Sequence, residues 1–423
     1  MIKTVTKCSK GLHGEITIPA DKSISHRAVM FSSIAKGKSV IKNFSNGADP
    51  NSTLNIFRQL GVNIEHIDNT TLLVNSTGML KAPDNILNCG NSGTTMRLVS
   101  GILAGQNFDS ILVGDESLSK RPMKRIIEPL TLMGADIESQ DYKAPLKIKG
   151  TKLKSVDYIS PIASAQVKSC ILLAGLFAEG TTSVTEKYLS RNHTELMLKY
   201  MGADIVTDGL TVKIKPSQLE GKEINVCGDI SSAAYFIAAA LLVPNSNVIL
   251  KNVGLNPTRY SILDVAEIMG GNIEILDKKD VSGELVGDIR ICTSDLKGCE
   301  ISGDIIPRLI DEIPVIAVMA TQAEGETIIK DAKDLRNKES DRISTVVNEL
   351  KKLGADIQEL DDGMIIRGKT KLKGCVQLET YNDHRLAMSL YVAGLLCEKE
   401  IGINGFEWAG ISFPEFENLF LSL

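Results

Sequence analysis

A short turn recurs along the chain: LGVNI (Leu60–Ile64), MGADI (Met133–Ile137), MGADI (Met201–Ile205), MGGNI (Met269–Ile273) and LGADI (Leu353–Ile357). Its glycines, Gly61, Gly134, Gly202, Gly270 and Gly354, are spaced by 73, 68, 68 and 84 residues. A helix-like stretch precedes each turn, as in SDRISTVVNELKKLG ending at Gly354. Glycine just past the last periodic residue is a helix C-terminal signal. After each turn comes an alternating strand, such as LTVKIKP (Leu210–Pro216) or GMIIRG (Gly363–Gly368). Periods near 70 residues exceed ordinary solenoid repeats and point to whole supersecondary units mixing helix and strand. One large doubly wound sheet is disfavoured, because neither G-x-G-x-x-G nor a Walker A run is present.

A second element lies between the turns: polar residues, then an apolar helix, then a short loop before a strand. Its copies are DKSISHRAVMFSSIAKG, GNSGTTMRLVSGILAG, SAQVKSCILLAGLFAEG, GDISSAAYFIAAALL, IDEIPVIAVMATQAEG and NDHRLAMSLYVAGLL. Six such helices against five turn glycines leave one unit incomplete. The C-terminal FPEFENLFLSL, with a strand from the N-terminus (Ile2–Thr6), would complete it. The expectation is an α/β fold of six units in two lobes of three. Residues 1–19 and 229–423 form one lobe, with the chain termini brought together, and 20–228 form the other.

Hydrophobic residues at 43% and charged residues at 23% fit a soluble globular chain rather than a disordered one. A net charge of −5 with only 10 Phe, 8 Tyr and 1 Trp argues against a nucleic-acid binder. The longest apolar stretch, Ala233 to Val243, is too short to span a bilayer, and Met1–Gly11 carries no secretory signal. The eight cysteines are scattered, with no C-x-x-C and no histidine at ligand spacing. They read as reduced thiols serving as small core residues in a cytoplasmic protein, with no metal site.

A net negative chain would also be expected to avoid acidic substrates, but the helix starts argue otherwise. They carry Lys22, Ser23, Asn91, Thr94, Ser164, Gln166, Ser231, Asp311 and Asp383. A helix N-terminus offers free N–H donors and about half a positive charge. Ordinary N-capping explains any one copy; six copies with basic companions favour an anion site. In DKSISHR, Ser23 and Arg27 stand four apart, and Lys22 in the first turn opposes the helix dipole, which suggests an external anion. RNKESDR (Arg336–Arg342) reads by itself as a solvated charged helix start. Its Lys338 and Arg342 also stand four apart with Glu339 between them, which would suit two anion contacts around a proton donor. His384–Arg385 is open to both readings.

DKSISHR (21–27), GNSGTTMR (90–97), KRPM (120–123), SAQVKS (164–169), RNHTE (191–195), DEIP (311–314), RNKESDR (336–342) and NDHR (382–385) follow one another along essentially the whole chain. Together they resemble the 5-enolpyruvylshikimate-3-phosphate synthase family of enolpyruvyl transferases. The resemblance implies a two-lobed inside-out α/β barrel, three βαβαββ-like units per lobe, with the active site in the cleft between lobes. It implies a transferase of the shikimate pathway, serving aromatic amino-acid biosynthesis. The enolpyruvyl group of phosphoenolpyruvate would pass to the 5-hydroxyl of shikimate-3-phosphate, releasing phosphate through a tetrahedral adduct, without cofactor.

By the same resemblance Asp311 is the general base, Glu339 the general acid, and Lys22 touches both substrates. Shikimate-3-phosphate would meet Lys22, Ser23, Arg27, Ser164, Ala165, Gln166, Arg191, Asp311 and Lys338. Phosphoenolpyruvate would meet Lys22, Asn91, Gly93, Arg121, Gln166, Arg342 and Arg385. Thr94, Arg97 and His384 would support them. The sequence departs from the family pattern at Ala165, where better-known members have serine, and at Ile411, where some have lysine. Gly93 leaves room for glyphosate as a possible inhibitor, and a monomer free of membrane and nucleic acid is expected. The related transferase acting on UDP-N-acetylglucosamine has Lys-Asn where Lys22–Ser23 stands and a loop cysteine near Lys120–Arg121. No cysteine lies between Cys89 and Cys170. A non-catalytic anion binder of the same architecture would leave the pair Asp311 and Glu339 without a purpose.

Overall fold

The computed structural model describes residues 2–423. By contact clustering the chain divides into two compact units: Met1–Pro19 with Gly228–Lys279 and Leu285–Leu423, and Ala20–Cys227 with Asp280–Glu284. The fold is of the inside-out α/β kind that the family resemblance implies.

In the Ala20–Cys227 unit the helices come in pairs, α1 (Lys22–Ile34) with α2 (Ala48–Gln59), α3 (Gly93–Ala104) with α4 (Lys124–Leu132), and α5 (Ala165–Gly175) with α6 (His193–Tyr200). The other unit holds α7 (Ile230–Leu242) with α8 (Ser261–Ile268), α9 (Ile313–Gln322) with α10 (Arg342–Lys352), and α11 (His384–Gly394) with α12 (Phe416–Leu421). The first helix of each pair is buried almost all round: α7 carries the Ala233–Val243 run, and every residue of that run except Leu242 is buried. A helix apolar on every face belongs inside. Accordingly α3 packs on α5 and α1, and α9 packs on α7 and α11.

Each pair is wrapped by a small mixed sheet. In the second, third and fifth pairs the strand after the first helix pairs in parallel with a short strand before it, and antiparallel with a hairpin strand that follows the second helix. The hairpins begin where the glycines predict. Gly61, Gly134, Gly202, Gly270 and Gly354 all have φ between 85 and 95°. At Gly61 the bonds are Gly61 N to Arg58 O (3.1 Å) and Val62 N to Phe57 O (3.1 Å), and the other four turns repeat the pattern. This is the Schellman arrangement, which satisfies two orphan carbonyls and needs a left-handed residue.

The sixth unit has no such hairpin. Strand 2–5 pairs antiparallel with Ile401–Asn404 and takes the hairpin's place, while 13–17 joins the sheet beside Asn247–Gly254. His13 N donates to Leu423 O (3.0 Å), and Lys3 pairs with Glu417. In the other unit, strands Leu219–Glu220 and Glu223–Asn225 return to pair with Ala35–Lys42 of the first repeat.

Of the cysteines, Cys89, Cys170, Cys227 and Cys397 are buried, but Cys8, Cys292 and Cys299 are only partly so and Cys375 is exposed. The expectation of core thiols therefore holds for half of them. Among the described residues no group of His, Cys, Asp or Glu suits a metal ion, and no helix is long and apolar enough to cross a membrane.

Candidate active site

Five of the six first helices begin with a side-chain cap, mostly separate from the residues singled out above; α9 has none. Asp21 accepts from Ile24 N (2.8 Å), Ser92 from Thr95 N (3.1 Å), Asp229 from Ser231 N (2.8 Å) and Asp383 from Arg385 N (2.9 Å). Ser164 alone doubles as a site candidate and cap, its Oγ 3.5 Å from Val167 N. None of Lys22, Ser23, Asn91, Thr94, Ala165 and Gln166 is the side chain that caps its helix.

In the Ala20–Cys227 unit, Lys22 Nζ pairs with Asp49 Oδ2 at 2.8 Å. The dipole penalty on Lys22 is thus offset from within, by a carboxylate on α2, and needs no external anion. Arg27 is buried. Its Nε donates to Thr194 Oγ1 (2.7 Å), Nη2 to Ser169 Oγ (3.0 Å) and Nη1 to Ser23 O (3.0 Å). Burial pushes its guanidinium down to about 10; Glu195 and Asp21 oppose that shift and Arg191 adds to it, and the group stays charged near neutrality. Arg191, half-buried just before α6, lies close enough for its charge to be felt there.

Beneath Arg27 sits a buried charge cluster. Lys168, 1% exposed, lies 2.8 Å from both Glu186 and Glu195. Breaking one member of such a set leaves an uncompensated buried charge, at a cost of about 3–5 kcal/mol. A second buried chain runs His26 Nδ1, Thr53 Oγ1, Thr95 Oγ1 and Ser92 Oγ, each link 2.7 Å, and ties α1 to the cap of α3. Burial pushes His26 down to about 3, against Asp49 and helped by Lys22 and Arg27, so the imidazole in this chain is neutral.

The starts of α3 and α5 interlock. Arg97 Nη1 donates to Gln166 Oε1 (2.6 Å) and Gln166 Nε2 to Thr94 Oγ1 (3.0 Å). Asn91 Oδ1 accepts from Arg121 Nη2 (2.9 Å), and its amide donates to Asp115 (2.7 Å). Gly93 opens α3, and a Cβ there would lie 3.0 Å from Arg97 Nη1 and 3.6 Å from Arg121 Nη1. Two guanidiniums thus flank a helix N-terminus, an arrangement that attracts anions.

In the other unit a single cation gathers three carboxylates. Arg342 reaches Glu339 (2.6 Å), Asp383 (Nε 2.8 Å, Nη2 3.3 Å) and Asp311 (3.3 Å). It is 1% exposed, so the last residue of RNKESDR is buried, while Asn337 and Glu339 are exposed. Nor are Lys338 and Arg342 joined by helical spacing. Lys338 lies outside α10 in extended backbone after a 3-10 turn, and the two meet around Asp311, with Lys338 Nζ at 3.7 Å. Arg385 Nη2 stands 3.9 Å from Asp311 Oδ2 and Nη1 3.7 Å from Glu312 Oε1.

Burial works against the Glu339 charge, but Arg342 and His384 outweigh it and hold the carboxyl well below the usual range. Asp383 behaves alike: burial raises it, and Arg342 more than reverses that. Burial opposes the charges on Arg342 and Arg385 too, yet neighbouring carboxylates push both guanidiniums above their ordinary value. His384 opens α11 beside this set. Ile411 ends a 3-10 turn and is 39% exposed.

The sequence reading did not assign roles to Asp49, Glu312 or Lys168, used Asp383 only as a helix start, and missed Arg259 altogether. A charged residue inside an apolar helix, as Lys168 is in SAQVKSCILLAG, was the available signal for one of them.

The family model for EPSP synthase (3-phosphoshikimate 1-carboxyvinyltransferase) matches residues 6–420. A 3-phosphoshikimate 1-carboxyvinyltransferase of Geotalea uraniireducens is 50% identical over 414 residues, covering 97% of this chain and 96% of its own length. One from Bacillus licheniformis is 54% identical over 411 residues, covering 96% of each chain. Among solved structures, an EPSP synthase from Acinetobacter baumannii superposes with a TM-score of 0.91 at 43% identity, over 99% of this chain and 97% of that one.

Proposed function

The chain belongs to the EPSP synthase (3-phosphoshikimate 1-carboxyvinyltransferase) family, and from that membership we propose how its residues divide the reaction. It transfers the enolpyruvyl group of phosphoenolpyruvate to the 5-hydroxyl of shikimate-3-phosphate and releases phosphate, a step of aromatic amino-acid biosynthesis. Lys22, Ser23, Arg27, Ser164, Ala165, Gln166, Arg191, Asp311 and Lys338 take shikimate-3-phosphate. Lys22, Asn91, Gly93, Arg121, Gln166, Arg342 and Arg385 take phosphoenolpyruvate, with Thr94, Arg97 and His384 in support.

The observation that carries the assignment is the grouping of Asp311 and Glu339 about Arg342. Glu339 protonates the methylene carbon of phosphoenolpyruvate, which makes the neighbouring carbon electrophilic. The 5-hydroxyl oxygen bonds to that carbon while its proton passes to Asp311. Phosphate then leaves the tetrahedral adduct with a proton from Asp311, as Glu339 takes a proton from the new methyl group and the double bond returns. In the unliganded protein Glu339 is ionised by Arg342, the wrong state for an acid. An anionic oxygen of phosphoenolpyruvate on Arg342 competes for that cation, and the loss of its pull raises the proton affinity of Glu339. Substrate binding and acid formation are one event in this reading.

Glyphosate competes at the phosphoenolpyruvate subsite, and the enzyme works as a cytoplasmic monomer. The test measures phosphate release from phosphoenolpyruvate with shikimate-3-phosphate, and separately with UDP-N-acetylglucosamine. Release only with the sugar nucleotide overturns the substrate reading. Glu339→Gln and Asp311→Asn should each retain substrate binding and lose about a hundred- to ten-thousand-fold in kcat; near wild-type turnover removes their roles.

A further inference from the structure

Behind Asp311 and Arg385 lies a buried arginine that the reaction, as described so far, does not use. Arg259 ends the NPTR loop (Asn256–Arg259), between the strand Asn247–Gly254 and α8. The loop is locked from inside: Asn256 Oδ1 accepts from Thr258 N (2.9 Å) and Thr258 Oγ1 (2.7 Å), and Asn256 O accepts from Arg259 N (2.8 Å). This turn carries Arg259 inward until it is only 3% exposed.

Its guanidinium meets Asp229 Oδ1 (Nη2, 3.6 Å) and Glu312 Oε1 (Nη1, 3.6 Å), and donates to Ser231 Oγ, which itself donates to Glu312 Oε1. The same Glu312 oxygen lies 3.7 Å from Arg385 Nη1. One fully buried carboxylate is therefore shared almost equally by two guanidiniums, Arg259 behind it and Arg385 in front. A buried carboxylate takes whatever cation it can reach, because leaving it uncompensated costs several kcal/mol. Glu312 directly follows Asp311 at the start of α9, so its charge lies next in sequence to the base.

We infer that Arg259 is a positioning residue: it neutralises Glu312 from behind, so that the charge of Arg385 is left for a phosphoenolpyruvate anion. The inference rests on Arg385 being a phosphoenolpyruvate contact. Without Arg259, Glu312 draws Arg385 back and weakens the phosphoenolpyruvate subsite, while shikimate-3-phosphate keeps its own contacts.

The test compares Arg259→Gln, Glu312→Gln, the double variant and Arg385→Gln, reading kcat, the two KM values and Tm. Arg259→Gln should raise the phosphoenolpyruvate KM about tenfold with the shikimate-3-phosphate KM within about twofold. Adding Glu312→Gln should bring it back to within about threefold of wild type, because the competing carboxylate is gone. A merely structural role would shift both KM values together and show no such rescue, and that result overturns the inference. So does an unchanged phosphoenolpyruvate KM in Arg259→Gln while Arg385→Gln raises it. If Arg259→Gln does not fold, Glu312→Gln alone decides: its phosphoenolpyruvate KM should fall at least about twofold, and a value unchanged or higher refutes the idea. An Arg385→Gln variant with normal phosphoenolpyruvate KM removes the Arg385 assignment, and this inference with it.

Discussion

Replacing Arg342 by glutamine removes the cation from a buried carboxylate, and the effect on stability has a sign that depends on pH. The side chains of Arg342 and Asp383 are 1% and 0% exposed, with Nε 2.8 Å from Oδ2. In the variant Asp383 keeps three neutral donors: Arg385 N (2.9 Å), Leu386 N (3.4 Å) and Ser340 Oγ (3.0 Å). Breaking a buried pair costs about 3–5 kcal/mol, and the surviving donors place this case near about 3. At roughly 2–4 °C per kcal/mol for a folding unit of this size, Tm should drop by about 6–12 °C at pH 7.5. In the wild type the Asp383 carboxyl is held below its unfolded value of about 3.9, so its contribution is present above that value and lost as pH falls through the lower, folded one. In the variant, burial without the cation pushes the same carboxyl above its unfolded value, and it penalises the fold only while ionised. The difference in Tm should therefore be widest at pH 7.5 and shrink steadily towards pH 4. Calorimetric melts of both proteins at pH 7.5, 6, 5 and 4 read this directly. A gap that stays constant, or widens in acid, refutes the electrostatic account of Arg342.

Gly101 in α3 faces the Cys170 carbonyl of α5 so closely that a Cβ would overlap it. Gly101→Ala should lower Tm by an amount corresponding to about 1–3 kcal/mol of overpacking and raise the phosphoenolpyruvate KM by disturbing Arg97–Gln166; an unchanged melt rejects the close approach. Gly93→Ala should fold normally, since its methyl meets only the movable ends of Arg97 and Arg121, and should raise the glyphosate concentration for half-inhibition more than the phosphoenolpyruvate KM. Wild-type turnover undiminished by glyphosate far above that KM would remove the shared subsite. Thr194→Val takes the acceptor from buried Arg27 Nε (2.7 Å) and should raise the shikimate-3-phosphate KM, leaving that for phosphoenolpyruvate nearly unchanged. Equal changes in both would mean that Arg27 is structural only.

The repeat was legible because each of its turns obeys a local rule. Gly61 and its counterparts must be left-handed to close a Schellman turn, and that need shows in five residues of sequence. The helix starts were legible for the same reason. What stayed hidden was tertiary. Asp49 on α2 meets Lys22 on α1, and nothing between residues 22 and 49 announces the pairing. Arg342 looked solvated because RNKESDR is charged throughout, yet Asp383, some forty residues on, draws it into the interior. Arg259 stayed hidden because a lone basic residue in a loop carries no mark of burial; only the carboxylates around it do. Net charge misled in the same way: −5 is a sum over the whole chain and does not show where its cations gather.

The strand at residues 2–5 lies about four hundred positions from its partner at Ile401–Asn404, and 13–17 is more than two hundred from Asn247–Gly254. During synthesis these first strands emerge long before anything exists for them to pair with. The stretch Ala20–Cys227, by contrast, closes its own first sheet with strands at 219–225 and has most of what it needs as soon as it is made. Assembly of this enzyme is therefore ordered by topology: an inner segment matures while the oldest residues wait. Helix Phe416–Leu421, made after every strand of that sheet, is among the later pieces to reach it. Removing Phe416–Leu421 would unsettle strand 2–5 as much as the helix itself.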